Sequence, residues 1–501
     1  MALLGIDIGT TGCKVVAYSP AGQPLGRTYR EYPSIVSGDW IELDPELVYS
    51  HAVACIREIA GCVDLAQITA LSVSSMTDTV TPIGKDGRAL MCSFIPFDAR
   101  GIEEARELES LYGLDALFAR TGMALHSSHT ICKILWIKRH RPDVLEKTWK
   151  FLCYEDYILW KLGAEPVSSY STASKTMYFD IRSQKWCEDL LRVCGITPEQ
   201  LPGPVPSGVP VGRISAEAAE KTGLPQDTVL VSGGFDQACC ALSCGVIRHG
   251  DVLDTTGTNE IIFFALDDRQ DRALLEYGMN FSPHVVQDMF SAYAVLFNAG
   301  GAFKWCRDAL YGDGLPSPQG DAYAGITSTF RDDPGDIVFL PFLTGVGTPE
   351  LDPQASGAFL GLTLGADRSR MAQAILEGVT CEMRYNLEIV RELTGTAIDT
   401  LTVVGGATKS DYWLQLKCDI AGVRILMPEG LEPGACGAAM LAGIGSGVYQ
   451  NAWEAAAVFC GARTNRVIEP RANKTGAYQD AYRRYCDMRA CVVGNPAFYC
   501  R

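Results

Sequence analysis

The chain lacks most of what would mark a membrane, metal or nucleic-acid protein. No apolar run in its 501 residues approaches the roughly 20 needed to cross a bilayer. Basic residues are the minority, with 43 Lys and Arg against 59 Asp and Glu and a formal charge of -16. That argues against a nucleic-acid or anionic-membrane partner, while leaving room for a local basic cleft. There are only six histidines, and no CxxC pair recurs at zinc-finger spacing. The 19 cysteines are odd in number and scattered, and Cys153, Cys240 and Cys381 sit among apolar neighbours. The densest group, Cys239, Cys240 and Cys244, lies on a helix-like segment. Buried free thiols acting as small hydrophobes are expected, in a reducing cytoplasm. A strand already under way at Leu3 leaves no room for a leader, so the expected location is cytoplasmic.

What the chain does have is glycine turns at the ends of apolar strands. More than one domain is expected at this length, and 47% hydrophobic with 20% charged residues is an ordinary globular balance. Leu3–Ile8 reads as a strand with Asp7 just before the turn Gly9-Thr10-Thr11-Gly12, and Cys13–Tyr18 returns as a second strand carrying Lys14. Glycines let backbone N–H groups face an anion, and Thr10, Thr11 and Lys14 add donors and charge. Asp7 would repel a phosphate, so its expected work is to hold a magnesium ion or its waters. A strand after the glycines, where a P-loop has a helix, sets the motif apart. A plain hairpin is the competing reading.

Halfway along, Val252–Thr256, Gly257, Thr258 and Glu260–Ala265 repeat the design. Two such turns suit related domains, 1–250 and 251–501, facing one another across a cleft with a phosphate chain held from both sides. Between them, Val229–Gly234 leads through a glycine turn to Asp236 at a strand's end. Further glycine turns open helices at Asn298–Lys304, at Gly405-Gly406-Ala407 before Ser410, and at Glu432-Pro433-Gly434. Such N-termini favour anions and flat ligands. Polar strand ends, where α/β folds place ligands, occur at Ser75–Thr79 and at Phe97-Asp98-Ala99-Arg100. Asp98 and Arg100 also read as a helix cap with an ion pair. His126 and His129 share one loop, where structural and functional roles stand level. Helices are expected near 45–61 and 367–394, a Pro/Gly-rich crossing at 198–212, and a helical stretch with a cysteine-ended tail in 466–501.

In this order the motifs resemble the FGGY family of carbohydrate kinases, in the structural superfamily of sugar kinases, Hsp70 and actin, over roughly residues 3–450. Ser128–Trp136 fits one family signature, a hydroxyl residue followed by Lys, an aliphatic residue and Trp. Gly357–Leu362 through Ala374–Gly378 resembles the second and departs from it at Arg370. The resemblance implies an α/β fold of two RNase H-like (actin-like ATPase) domains facing each other across a cleft, and phosphoryl transfer from ATP with Mg2+ to a sugar hydroxyl. It implies Asp236 as the base and Asp7 as the carboxylate near magnesium. Gly9, Thr10, Thr11 and Lys14 would form the first phosphate hairpin, and Thr256, Gly257 and Thr258 the second. Gly300 and Lys304 would line the nucleotide site, with Gly405, Gly406, Ala407 and Ser410 around adenosine. Thr77, Asp78 and Asp98 match sugar-contacting positions, and Arg100, His129 and Asp236 complete the expected acceptor set. Pro96 stands where many xylulose and glycerol kinases have Trp. Thr77-Asp78 replaces the Met-His of xylulokinases and the Arg-Glu of glycerol kinases. The expected acceptor is a ketopentose such as xylulose, with a polyol or aldonate (glycerol, erythritol, gluconate) as the alternative. An Hsp70- or actin-like ATP machine is the rival from another class. No nucleic acid or membrane is expected as a partner, and a homodimer is left open.

Overall fold

The computed structural model describes every residue except 39, 97, 99, 269–270, 313–321 and 499–501. Phe97 and Ala99 of the second polar strand end, and the tail's Cys500, lie outside the described residues.

The first sheet starts as a meander: β1 (Ala2–Ile8), β2 (Gly12–Tyr18) and β3 (Pro24–Glu31), antiparallel, with Leu3 opposite Tyr18 and Asp7 opposite Lys14. Every residue of β1 is buried except Asp7, which is half-buried. β3 lies at the sheet's edge, mostly exposed and carrying Arg27, Arg30 and Glu31, charges that keep an edge from pairing with other chains. Helix α1 (Pro45–Glu58) follows, with Asp44 accepting from the amides of Glu46 and Leu47 and Pro45 at the first helical position. It buries Val48, Ala52, Cys55 and Ile56 in the core beside β1. Then β4 (Ile68–Ser75) runs parallel to β1. After an inserted helical region come α2 (Tyr154–Leu162) and β5 (Val229–Phe235), parallel to β4. The expected crossing at 198–212 is partly strand: Pro210–Arg213 pairs antiparallel with β5 at the sheet's other edge, a place where proline is tolerated. Helix α3 (Asp236–Ser243) leaves the end of β5 at once.

The second sheet is laid out the same way. A meander of β6 (Val252–Thr256), β7 (Glu260–Leu266) and β8 (Phe290–Leu296) is followed by the long helix α4 (Arg368–Thr394). β9 (Thr400–Gly405) is parallel to β6, helix α5 (Asp411–Ala421) follows, and β10 (Arg424–Pro428) is parallel to β9. The repeat read from two hairpins therefore extends to whole sheets. Helix α6 (Pro433–Gly445) departs from the division into halves: it packs on β1, β4 and α3 of the first sheet. Leu3, Val16, Ala70, Phe235 and Cys239 share one apolar cluster with Leu253, Phe263, Ala435, Ala439 and Met440, so the two sheets join through a common core.

The C-terminal helix α7 (Thr475–Val492) belongs to the second half's core through Tyr478 and Tyr485. Its buried Arg489 pairs with Glu382 at 2.9 Å and Glu350 at 2.6 Å. Arg370, the departure from the family signature, lies in the first turn of α4, where its amide donates to the capping Asp367. The described cysteines are all free thiols, most of them buried. Among the described residues no helix is long and apolar enough to cross a membrane.

Candidate active site

β1 and β5 lie on either side of β4 and run parallel to it, so their C-terminal ends open on one side of the sheet. Asp7 comes from the end of β1, and Asp236 from the residue after β5. Asp7 Oδ1 accepts from Ser74 Oγ at 2.9 Å. The start of α6 presses against this carboxylate: a Cβ on Gly434 would stand 2.6 Å from Asp7 Oδ1, so a larger residue there would have to displace the Asp7 side chain. Burial raises the Asp7 pKa, with Lys14 and Ser74 opposing. Lys14 Nζ pairs with Glu432 Oε2 at 2.6 Å, and Arg27 holds the other oxygen of Glu432 at 2.5 Å. The first hairpin is thus tied to the residue that caps α6.

Asp236 is half-buried at the first position of α3, and its Oδ1 accepts from the Gln237 amide at 2.6 Å. Burial, then the charge of Asp7 and more weakly that of Asp78, push its pKa up to about 7 against the Gln237 amide and Lys175. Below the turn lies a brace that sequence reasoning missed. The buried Glu155 of α2 accepts from the Gly233 amide at 2.9 Å, from Ser169 Oγ at 2.7 Å, and from Thr172 Oγ1. Ser171 Oγ accepts from the Phe235 amide at 3.1 Å. The available signal was the hydroxyl run Ser168–Ser174, too polar for an idle buried segment.

On the acceptor side, Asp78 sits at φ +56°, a backbone region costly for a non-glycine residue and frequent at functional sites. Its Oδ1 lies 2.8 Å from His129 Nδ1, and Thr77 Oγ1 donates to its Oδ2 at 3.3 Å. Burial raises the Asp78 pKa, but His129, Lys133 and Lys175 together bring it below the ordinary value. Lys133 of the first signature, fully buried, donates to the carbonyls of Asp78 and Ile95, the latter at 2.9 Å. It therefore holds the strand end in place. Asp98 and Arg100 form a closed pair: Arg100 reaches both Asp98 oxygens at 2.7 Å and Glu42 at 2.7 Å. Its guanidinium lies over Phe94, Trp40 and Trp136. Asp98 also takes the Ile41 amide at 2.9 Å. Arg100, expected in the acceptor set with a cap and ion pair as the other reading, has a side chain 1% exposed with its fork already engaged. His126 turns instead to Ser128 Oγ, at 2.8 Å.

On the nucleotide side the first turn is compact. The Gly9 amide donates to Gly12 O at 3.0 Å, and Tyr32 OH donates to Gly9 O at 2.5 Å. Thr11 and Thr258 are exposed on their turns and Thr10 is half-buried. The second turn packs on the Gly300 loop. Gly300 N donates to Gly257 O, and Ala299 N and Gly301 N to Thr258 O, each at 3.0 Å; a Cβ on Gly300 would collide with Gly257 O. Gly405, at φ +92°, and Gly406 are exposed beside the end of β6, Ala407 is buried, and Ser410 caps α5 by accepting from the Trp413 amide. Lys304 is exposed. Thr256 differs from the other hydroxyl residues expected around the cofactor. It is wholly buried, and its hydroxyl donates to Asp254 Oδ1 at 2.9 Å and receives Lys417 Nζ at 2.9 Å. Lys417 of α5 also pairs with Asp254 Oδ2 at 2.5 Å and with Glu260. This buried ion cluster joins the second hairpin to the helix bearing Ser410; a lysine on an amphipathic helix gave no sign of it in sequence.

No group of three or more His, Cys, Asp or Glu side chains poised to hold a metal occurs among the described residues. A magnesium ion, which keeps several waters and takes one or two carboxylates plus phosphate oxygens, needs no such group.

Residues 2–243 match the family profile described as FGGY family of carbohydrate kinases, N-terminal domain, and residues 257–446 match its C-terminal domain. The chain belongs to the FGGY family of carbohydrate kinases. This FGGY kinase is 27% identical to a xylulose kinase of Bacillus subtilis over 96% of its own length and 95% of the relative's. It is 30% identical to a glycerol kinase of Rhodospirillum rubrum over 89% and 90% of the two chains. The crystal structure of a gluconate kinase from Lactobacillus acidophilus superposes with a TM-score of 0.89 at 25% identity, covering 99% of each chain. The kinase is a phosphotransferase acting on an alcohol group, and FGGY kinases use ATP. That removes the ATP-driven machine as a reading of the two hairpins.

Proposed function

We propose that this kinase transfers the γ-phosphate of ATP to a hydroxyl of a ketopentose, xylulose being the first candidate. What carries the reading is Asp236, a half-buried carboxylate at a strand's end whose pKa of about 7 suits a base working at neutral pH. Asp236 accepts the proton of the attacking hydroxyl. Asp78, fixed by His129 and Thr77, binds the acceptor's other hydroxyls, and Asp98 with Arg100 shapes the wall beside it. Gly9, Thr10, Thr11 and Lys14 hold the phosphates from the first half, and Gly257 and Thr258 from the second. Gly300, Lys304, Gly405, Gly406, Ala407 and Ser410 frame the nucleoside. Asp7 would hold magnesium, whose charge would offset that gathering on the phosphoryl oxygens. Phosphoryl transfer depends mainly on such positioning and charge. Residues 1–250 and 251–501 are the proposed domains, joined through α6.

Full-length similarity to xylulose kinases supports the ketopentose. An aldonate or polyol is the second reading; the ammonium groups of Lys133 and Lys175 near Asp78 favour the aldonate, whose carboxylate they could attract. A coupled ADP-release assay over xylulose, ribulose, glycerol, erythritol and gluconate decides. The highest kcat/KM is expected with xylulose, and a tenfold preference for gluconate or glycerol would reverse the order.

A further inference from the structure

Tyr293 of β8, in the second half, is half-buried, with Asp78 and Asp236 of the first half close enough to act on its hydroxyl. In the β7–β8 ladder it faces Phe263, two places along from the Ile261–Val295 pair. These side chains therefore share the sheet face turned to the common core. Asn280 Nδ2 donates to the Tyr293 hydroxyl at 3.2 Å. The orientation of this amide is settled at its other end, where Asn280 Oδ1 accepts the Ala124 N–H at 2.9 Å. Ala124 O in turn takes His129 Nε2 at 2.9 Å, and His129 Nδ1 meets Asp78. One chain of hydrogen bonds thus leads from Asp78 across to Tyr293. On the other flank the buried Lys175 Nζ lies 4.9 Å from the centre of the Tyr293 ring and 4.7 Å from that of Phe235, the residue before Asp236. Ser282 Oγ holds this ammonium at 3.0 Å.

We propose that Tyr293 is the acceptor-binding residue supplied by the second half, its ring covering the carbon face of a bound ketose or polyol and its hydroxyl donating to a sugar oxygen. Because Asn280 donates to the phenol oxygen, the phenol's own proton is left for a ligand acceptor. Burial and the nearby Asp78 and Asp236 carboxylates hold the phenol protonated. A sugar so bound touches both halves at once, from Asp78 and Asp236 on one side to Tyr293 on the other. The inference rests on the acceptor site proposed above.

The test is Tyr293→Phe, with Asn280→Leu beside it, in steady-state kinetics with D-xylulose, glycerol and D-gluconate as probes. Losing one neutral hydrogen bond should raise the acceptor KM of Tyr293→Phe about five- to tenfold while the KM for ATP stays within about twofold. Asn280→Leu should raise the acceptor KM in the same direction. An unchanged acceptor KM in Tyr293→Phe overturns the assignment. So does an equal rise in both KM values, which is what mere loosening of the fold would give. Wild-type enzyme that turns over none of the three probes would instead overturn the acceptor reading, and this inference with it.

Discussion

The imidazole of His129 has an acceptor at each nitrogen: Asp78 Oδ1 at 2.8 Å from Nδ1 and Ala124 O at 2.9 Å from Nε2. Each ring nitrogen thus has an oxygen partner, and one of the two is a carboxylate. His129→Leu removes both bonds and leaves Asp78 Oδ1 without its imidazole partner at a strained backbone position. Hydrogen bonds to charged groups contribute about 1.5–3 kcal/mol, so the acceptor KM should rise at least ~10-fold, with ATP affinity little changed. Steady-state kinetics with each substrate varied in turn checks this.

The raised pKa values of Asp236 and Glu155, both pushed up to about 7 by burial, have a consequence for stability. The unfolded values are about 3.9 for Asp and 4.3 for Glu. Between those values and about 7 the folded chain binds the protons more tightly than the unfolded one, so both groups make the ligand-free protein less stable as pH rises through that window. Asp236→Asn cannot ionise. It should melt above wild type at pH 8, and the gap should shrink at pH 5. A gap independent of pH would show that Asp236 has its ordinary affinity for protons.

Lys417 faces two buried carboxylates and the Thr256 hydroxyl beneath the second hairpin. Lys417→Met leaves those carboxylates uncompensated. Breaking a buried pair on one side is worth about 3–5 kcal/mol, and that loss should appear in urea denaturation. The KM for ATP should rise as well, since the cluster ties the hairpin to the helix that Ser410 caps.

Gly434 leaves no room for a methyl group beside Asp7. Gly434→Ala should displace the Asp7 carboxylate and raise the magnesium concentration needed for half-maximal rate, measured at fixed ATP. An unaltered magnesium dependence would separate Asp7 from the metal.

Sequence was most informative where local chemistry and position coincide. Glycine turns after apolar strands are legible because few residues permit them, so Asp7, the two hairpins and the carboxylate after Gly233-Gly234 stood out. Helix α4 could be read because Asp367 caps it and an apolar face continues for its length. Residues that act through distant partners were not legible. Glu155, Lys417 and Tyr293 lie 78, 157 and 13 residues from Gly233, Glu260 and Asn280 respectively, and spacing along a chain carries no trace of such meetings. The surroundings of Arg100 were hidden for a related reason: its aromatic box draws on Trp40, Phe94 and Trp136, from separate elements. The packing of α6 on the first sheet was likewise hidden, because its small residues fit a helix buried against either half.

The most direct test of the account is turnover by Asp236→Ala alongside its binding of ATP. Loss of a general base should lower kcat at least ~10²-fold, while calorimetric titration with an ATP analogue and magnesium gives nearly the wild-type affinity. A kcat within threefold of wild type would contradict the role assigned to Asp236, and with it the proposed mechanism.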